Sequence, residues 1–270
     1  MRELFITDLR RLVKDKLFLV ACILGAVFAL FTPLLYAGIS LALGEEAEMF
    51  GPLAEAKTLF FSAFQPGGNF GLILPILVAV ILCKDFRYGT VRNKIIAGKP
   101  RTAVFFSLFL STATVTCGTM LAHALLSLFA SLLFFPYTEA PFTWDSFLYL
   151  LVSLVFSLLI YLFLSALITF LAATLKSAGL TVVLYVAVNF FFSILGAVVM
   201  VAAMLLDPAD KALQKLLEIL QKANLFTATH VGTGTAYTAT DALCVLLPTI
   251  LGAAACLALG CWLFRRRDLK

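Results

Sequence analysis

The sequence predicts an all-α, polytopic membrane protein with six transmembrane helices, and three observations predict it. The 270 residues are 62% hydrophobic and only 13% charged, a composition far from that of a soluble domain. Uncharged runs exceed the roughly 18 residues needed to cross a hydrocarbon layer about 30 Å thick. Lysine and arginine alternate between the connecting segments in the way that sidedness requires. A β-barrel is excluded because its strands would alternate apolar and polar residues over about ten positions, whereas these runs are apolar all round. Helices are the other way to satisfy backbone amides in lipid.

The predicted spans are taken in order as 17–43, 58–83, 103–134, 147–175, 178–206 and 242–264, forming one transmembrane domain over 1–270. The first is interrupted only by Pro33, Tyr36 and small residues, and ends at Glu45, Glu46 and Glu48. The second carries no charge from Thr58 to Cys83, but Pro66, Gly67 and Gly68 break its outer part. The third is 32 residues long and, at about 1.5 Å per residue, must tilt or protrude. Lys176 divides the fourth from the fifth, so Lys176, Ser177, Ala178 and Gly179 read as a tight turn.

Segments 1–16, 84–102, 176–177 and 265–270 carry 16 Lys+Arg and 5 Asp+Glu, against 4 and 10 in segments 44–69, 135–146 and 207–241. This asymmetry assigns both termini to the cytoplasm. The net charge of +5 is thus a membrane signature and does not point to nucleic acid. The first apolar run is too long for a cleaved signal peptide.

Chemistry-bearing residues are scarce. Cys22, Cys83, Cys117, Cys244, Cys256 and Cys261 lie singly and read as small buried hydrophobes. His123 and His230 are too few for a metal site, and an interhelical hydrogen bond suits His123. The spans hold no acidic or basic residue, so an ion-coupled carrier lacks its usual groups; His123 and Asn189 are the polar candidates along a pathway, with Ser153 and Ser157 positioned for close helix approach. Gly98 and Lys99 resemble the end of a phosphate loop, but Asn93 and Pro100 break the pattern, and Gly232 to Thr235 fails as well. No catalytic centre, metal or bound cofactor is expected.

The segment Lys84 to Thr102 reads as a short helix, with Thr90 as its N-cap, Val91, Ile95 and Ile96 on one face, and Gly98 with Pro100 as its stop. Lys84, Arg87, Arg92, Lys94, Lys99 and Arg101 surround that stripe. Asp85, Gly89, Thr90, Arg92, Asn93 and Arg101 resemble the loop after the second span of ABC-2 type transporter permeases. The six-span outline, the amphipathic N-terminal segment and the helical excursion between spans five and six resemble that family too.

The resemblance implies a permease subunit of an ATP-driven exporter, working as a homo- or heterodimer with a second permease. A separate ABC ATPase subunit would bind ATP and Mg. It implies that the loop is a coupling helix contacting that subunit through Asp85, Arg87, Gly89, Thr90, Val91, Arg92, Asn93, Ile95, Ile96 and Arg101. Asp85 would pair with an arginine of the partner or with Arg87. A peptide, drug or other amphipathic molecule is the implied cargo, the 26 Phe favouring an apolar one. The alternatives are a stand-alone secondary carrier or channel, and a membrane enzyme, for which His123 lacks an acidic partner.

Two further segments are amphipathic. In 1–16, Phe5, Leu9, Leu12 and Val13 form a stripe suited to lying flat on membrane lipid. In 207–241, a helix opened by Asp207, Pro208, Ala209 and Asp210 carries Leu213, Leu216, Leu217 and Leu220 against Lys211, Lys215, Glu218 and Lys222, and reads as a cap on the outer end.

Overall fold

The computed structural model describes residues 2–43, 55–137, 143–205, 211–228, 231–232 and 237–266. The acidic cluster at Glu45, Glu46 and Glu48, the opening Asp207 to Asp210, His230 and the run from Thr233 to Thr235 lie outside the described residues.

Among the described residues every regular element is helical: α1 Arg2–Lys14, α2 Lys16–Leu43, α3 Ala56–Ser62, α4 Asn69–Arg87, α5 Thr90–Ile96, α6 Arg101–Ser131, α7 Trp144–Leu175, α8 Ala178–Leu205, α9 Lys211–Lys222 and α10 Ala239–Arg266. Six of them, α2, α4, α6, α7, α8 and α10, are long and apolar enough to cross a bilayer, and the chain is a multi-pass membrane protein. Helices α4, α6 and α7 form the inside of the bundle, while α2, α8 and α10 leave most of their surface outward. Leu30, Phe31, Phe190, Phe191 and Leu251 are among the large apolar side chains on that outer surface, where lipid or another apolar helix is the natural solvent.

Local chemistry sets the helix ends. Thr143 Oγ1 accepts the amide of Ser146 at 3.3 Å and caps α7. At α10, Thr238 Oγ1 accepts the Asp241 amide while Asp241 Oδ2 accepts the Thr238 amide, a reciprocal capping box. The turn between α7 and α8 is shorter than the sequence suggests. Lys176 alone takes the left-handed conformation, φ 53, and Ala178 and Gly179 already belong to α8.

The second predicted span, 58–83, is not one helix. Its outer part is α3, anchored where the Ala56 amide donates to the Pro136 carbonyl at 2.9 Å. The chain then breaks between Ala63 and Gly68, since Pro66 cannot donate an amide and Gly67 and Gly68 lower helix propensity. The broken stretch lies so close to α4 that a Cβ on Gly71 would stand 2.1 Å from the Gln65 carbonyl oxygen. Several buried serines and threonines use their own helices: Ser111, Ser157, Ser165, Thr169 and Thr249 each donate to the carbonyl four residues back. Ser153 does the same and also meets the Tyr237 hydroxyl at 2.7 Å. Hydroxyls satisfied this way cost little in a dry interior.

Helix α9 is fixed by charge. Lys222 reaches Glu218 at 2.5 Å and Asp241 at 2.7 Å, tying α9 to the capping box of α10, and those two carboxylates push the Lys222 ammonium above its ordinary value. Its leucines stay open, with Leu216 and Leu220 about half exposed.

Candidate functional site

The ends of α2, α4, α6, α7, α8 and α10 that carry most of the cations gather at one end of the bundle, together with α1 and α5. The organising element there is α1. Its inward row is Leu4, Asp8 and Leu12, spaced by four, and Asp8 is 1% exposed. A carboxylate taken out of water costs several kcal/mol unless it is paired and hydrogen-bonded. Asp8 is both: it accepts from Ser107 Oγ at 2.6 Å, pairs with Lys94, and stands 3.5 Å from Arg11. The expectation of a single lipid-facing stripe is corrected accordingly. Leu12 faces protein, Val13 faces outward, and Phe5 and Leu9 are half-buried.

Asp85, also buried, pairs with Arg11 of α1 and not with Arg87. Asp15, between α1 and α2, receives Lys84 on both oxygens at 2.8 Å and the Leu17 amide at 2.8 Å. Burial acts to raise the Asp15 carboxyl, but Lys84 and the Leu17 amide outweigh it and hold it below the ordinary carboxylate value. Through these pairs α1 is bonded to the end of α4, to α5 and to the start of α6. At the far side of the same end, Arg101 donates to the Arg265 carbonyl at 2.9 Å, satisfying an acceptor that α10 leaves open at its last turn.

Helix α5 is short, and both of its ends are punctuated by glycine. Gly89 is the N-cap, in the left-handed region at φ 70, and Thr90 is the first helical residue without a capping hydrogen bond, which corrects the reading of Thr90 as cap. At the other end the Gly98 amide donates to Ile95 and the Lys99 amide to Lys94, with Gly98 at φ 83. This pair of bonds is the Schellman arrangement.

The inward face of α5 consists of Val91, 1% exposed, with Lys94 and Ile95 partly buried beside it. Ile96 does not share that face, because a spacing of five turns it away from Val91, and it is 74% exposed. The outward face therefore comprises Arg92, Asn93 and Ile96, next to Arg87 and to Tyr88 at 72% exposed. Of the residues singled out from the sequence, Asp85, Val91 and Arg101 hold the loop in place, whereas Arg87, Arg92, Asn93 and Ile96 present a surface. Sequence reasoning missed Asp8, Arg11, Lys94 and Ser107 as a set; the signal was an acidic residue at the centre of the row Leu4, Asp8, Leu12.

Inside the bundle, His123 Nδ1 meets the Gly25 carbonyl at 2.8 Å and its ring packs on Phe70 at 4.6 Å. That bond joins α6 to α2. His123 also borders a polar cavity of about 180 Å³ whose walls include Thr32, Gln65, Asn69 and Ser127. Asn189 is separate from it and donates to the Pro66 carbonyl at 3.5 Å, bonding α8 to the break in the second span.

Residues 58–270 match the family described as a protein of unknown function, DUF2705. No curated protein matches the chain.

Proposed function

The chain belongs to the DUF2705 family, whose function is unknown, and we propose that it is the membrane-spanning subunit of an ATP-driven exporter of the ABC-2 type. In this reading the termini are cytoplasmic, the membrane is the bacterial plasma membrane, and a second permease completes the pathway. A separate ATPase subunit docks on α5.

The observation that supports this reading is the division of α5 into a locked face and an open one. A helix of seven residues is too short to be stable alone, and here Val91, the Lys94–Asp8 pair and two glycine stops hold it. Its free face offers an apolar knob at Ile96 and an aromatic one at Tyr88, surrounded by Arg87, Arg92 and Asn93. Buried aromatic and apolar anchors with a charged rim are what a docking partner uses. A displacement of α5 would pass through Lys94 and Asp8 to α1 and α6, and through the Tyr88–Gly89 turn to α4. Three elements of the bundle would then move with the motor, so no coupling group at membrane depth is required.

A stand-alone carrier is the second reading, and the polar cavity beside His123 is the observation that favours it, since a solute carried without a motor needs such a lodging inside the bundle.

The test is affinity capture of the tagged protein from detergent-solubilised native membranes, compared with an Arg92→Glu, Ile96→Glu variant. Both positions are exposed, so the variant keeps its fold. An ATPase subunit that co-purifies with the original chain and is lost from the variant supports the docking assignment. If the chain purifies alone and moves solute in liposomes without ATP, the carrier reading replaces it.

A further inference from the structure

At the basic end some cations are ion-paired and some are not. Arg11, Lys84, Lys94 and Lys99 pair with Asp85, Asp15, Asp8 and Glu3. Arg87 and Arg92, which flank the α4–α5 turn, have no ion pair among the described residues. They converge with Lys176, from the turn between α7 and α8, on a cavity of about 230 Å³ walled also by Phe86, Tyr88, Gly89 and Val91. Among the described residues no carboxylate lines it.

Two left-handed residues bring these walls together, Gly89 at φ 70 and Lys176 at φ 53. The second is unusual, because a helix that ends in this conformation does so at lower cost with glycine. The lysine at 176 therefore carries a conformational cost and directs a cation to this place. Arg87 and Arg92, facing one small cavity, repel each other, and an anion bound between them removes that repulsion.

We propose that this cavity binds a phosphate-bearing anion. The planar guanidinium groups of Arg87 and Arg92 suit two phosphate oxygens at once, and Lys176 adds a point charge. Arg87 ends α4 and Lys176 follows α7, so the cavity stands at the level of the span ends. Basic pockets between transmembrane helices at that level take the head groups of anionic lipids, and a soluble phosphate would use the same groups. The proposal does not rest on the docking of an ATPase, because Lys176 lies outside α5.

The test uses the full chain, purified in detergent and then placed in phosphatidylcholine nanodiscs alone, with phosphatidylglycerol, or with inorganic phosphate in the buffer. Native mass spectrometry counts retained phosphatidylglycerol, and the thermal midpoint reports stabilisation by either anion. Retention or stabilisation should weaken about tenfold in apparent affinity in Lys176→Gln and in Arg92→Gln, and Lys176→Arg should restore it. An effect confined to phosphatidylglycerol identifies a lipid head group, and one produced by inorganic phosphate identifies a soluble anion. If neither anion binds, or binding is equal in the original chain and in Lys176→Gln and Arg92→Gln, the proposal is overturned.

Discussion

On the side of α5 that faces the bundle, Val91 is buried and the Lys94 ammonium is held by a carboxylate that water does not reach. On the other side Arg92, Asn93 and Ile96 stand in the open, with Tyr88 beside them. The two faces belong to one short helix and carry the same residue types, a cation and an aliphatic group each. They differ in what surrounds them, and so in what a substitution should do: changes on the inner face should act on folding, and changes on the outer face on association.

The largest effect is expected at Asp8. In Asp8→Asn the Lys94 ammonium loses its counter-ion inside the protein, and breaking a buried pair in this way costs about 3–5 kcal/mol. A mixed-micelle unfolding titration should show this loss. The double variant Asp8→Leu, Lys94→Met should recover most of it, because well-packed apolar replacements remove the stranded charge. Failure of the double variant to recover would mean that Asp8 is needed for a reason other than the pair.

Val91→Ala comes next. Two methyl groups leave a buried position at about 0.8 kcal/mol each, so the same titration should shift by about 2 kcal/mol. Substitution of Ile96 by alanine removes more apolar carbon but should shift it by less than about 0.5 kcal/mol, and reversal of that order would dissolve the distinction between the faces.

Asp15 tests the pair that stands between these extremes. Its carboxyl is held below the ordinary value by Lys84 and the Leu17 amide, so its contribution is present above the unfolded value of 3.8 and is lost as pH falls through the lowered folded one. Asp15→Asn should therefore flatten the acid side of the stability profile and leave the alkaline side unchanged. The site is partly open to solvent, and the effect at neutral pH should not exceed about 1 kcal/mol.

How much of this was legible follows from which signals are local. Span number and order are carried by long apolar runs, and α2, α6, α7, α8 and α10 match them to within a few residues. The Gly98 stop was legible because a left-handed terminus favours glycine. Two features were not. Threonine favours the cap position, so the sequence points to Thr90, whereas the left-handed turn at Gly89 occupies the position. The partners of Asp8 and Asp85 lie 86, 99 and 74 residues away in sequence, and no periodicity within one helix reports a bond between helices. The docking surface is half legible: the basic residues are visible in the sequence, which places Val91, Ile95 and Ile96 on one face, but Val91 packs inward and Ile96 alone of the three stands in the open.

The smallest effect should come from Lys99→Ala, and it sharpens the comparison most. Helices α1 and α5 and their flanks are joined by two ion pairs of the same chemistry, Lys94 with Asp8 and Lys99 with Glu3. In the first the side chains are 12% and 1% exposed, and in the second 46% and 91% exposed at 3.9 Å. Water and salt screen the second pair, and such exposed pairs contribute about 0–1 kcal/mol. Lys99→Ala should leave the unfolding midpoint nearly unchanged, and the small remainder should vanish when ionic strength is raised. A salt-resistant loss comparable to that of Asp8→Asn would show that Glu3 and Lys99 are shielded in the membrane-embedded protein, and that α1 is clamped along its whole length and not at Asp8 alone.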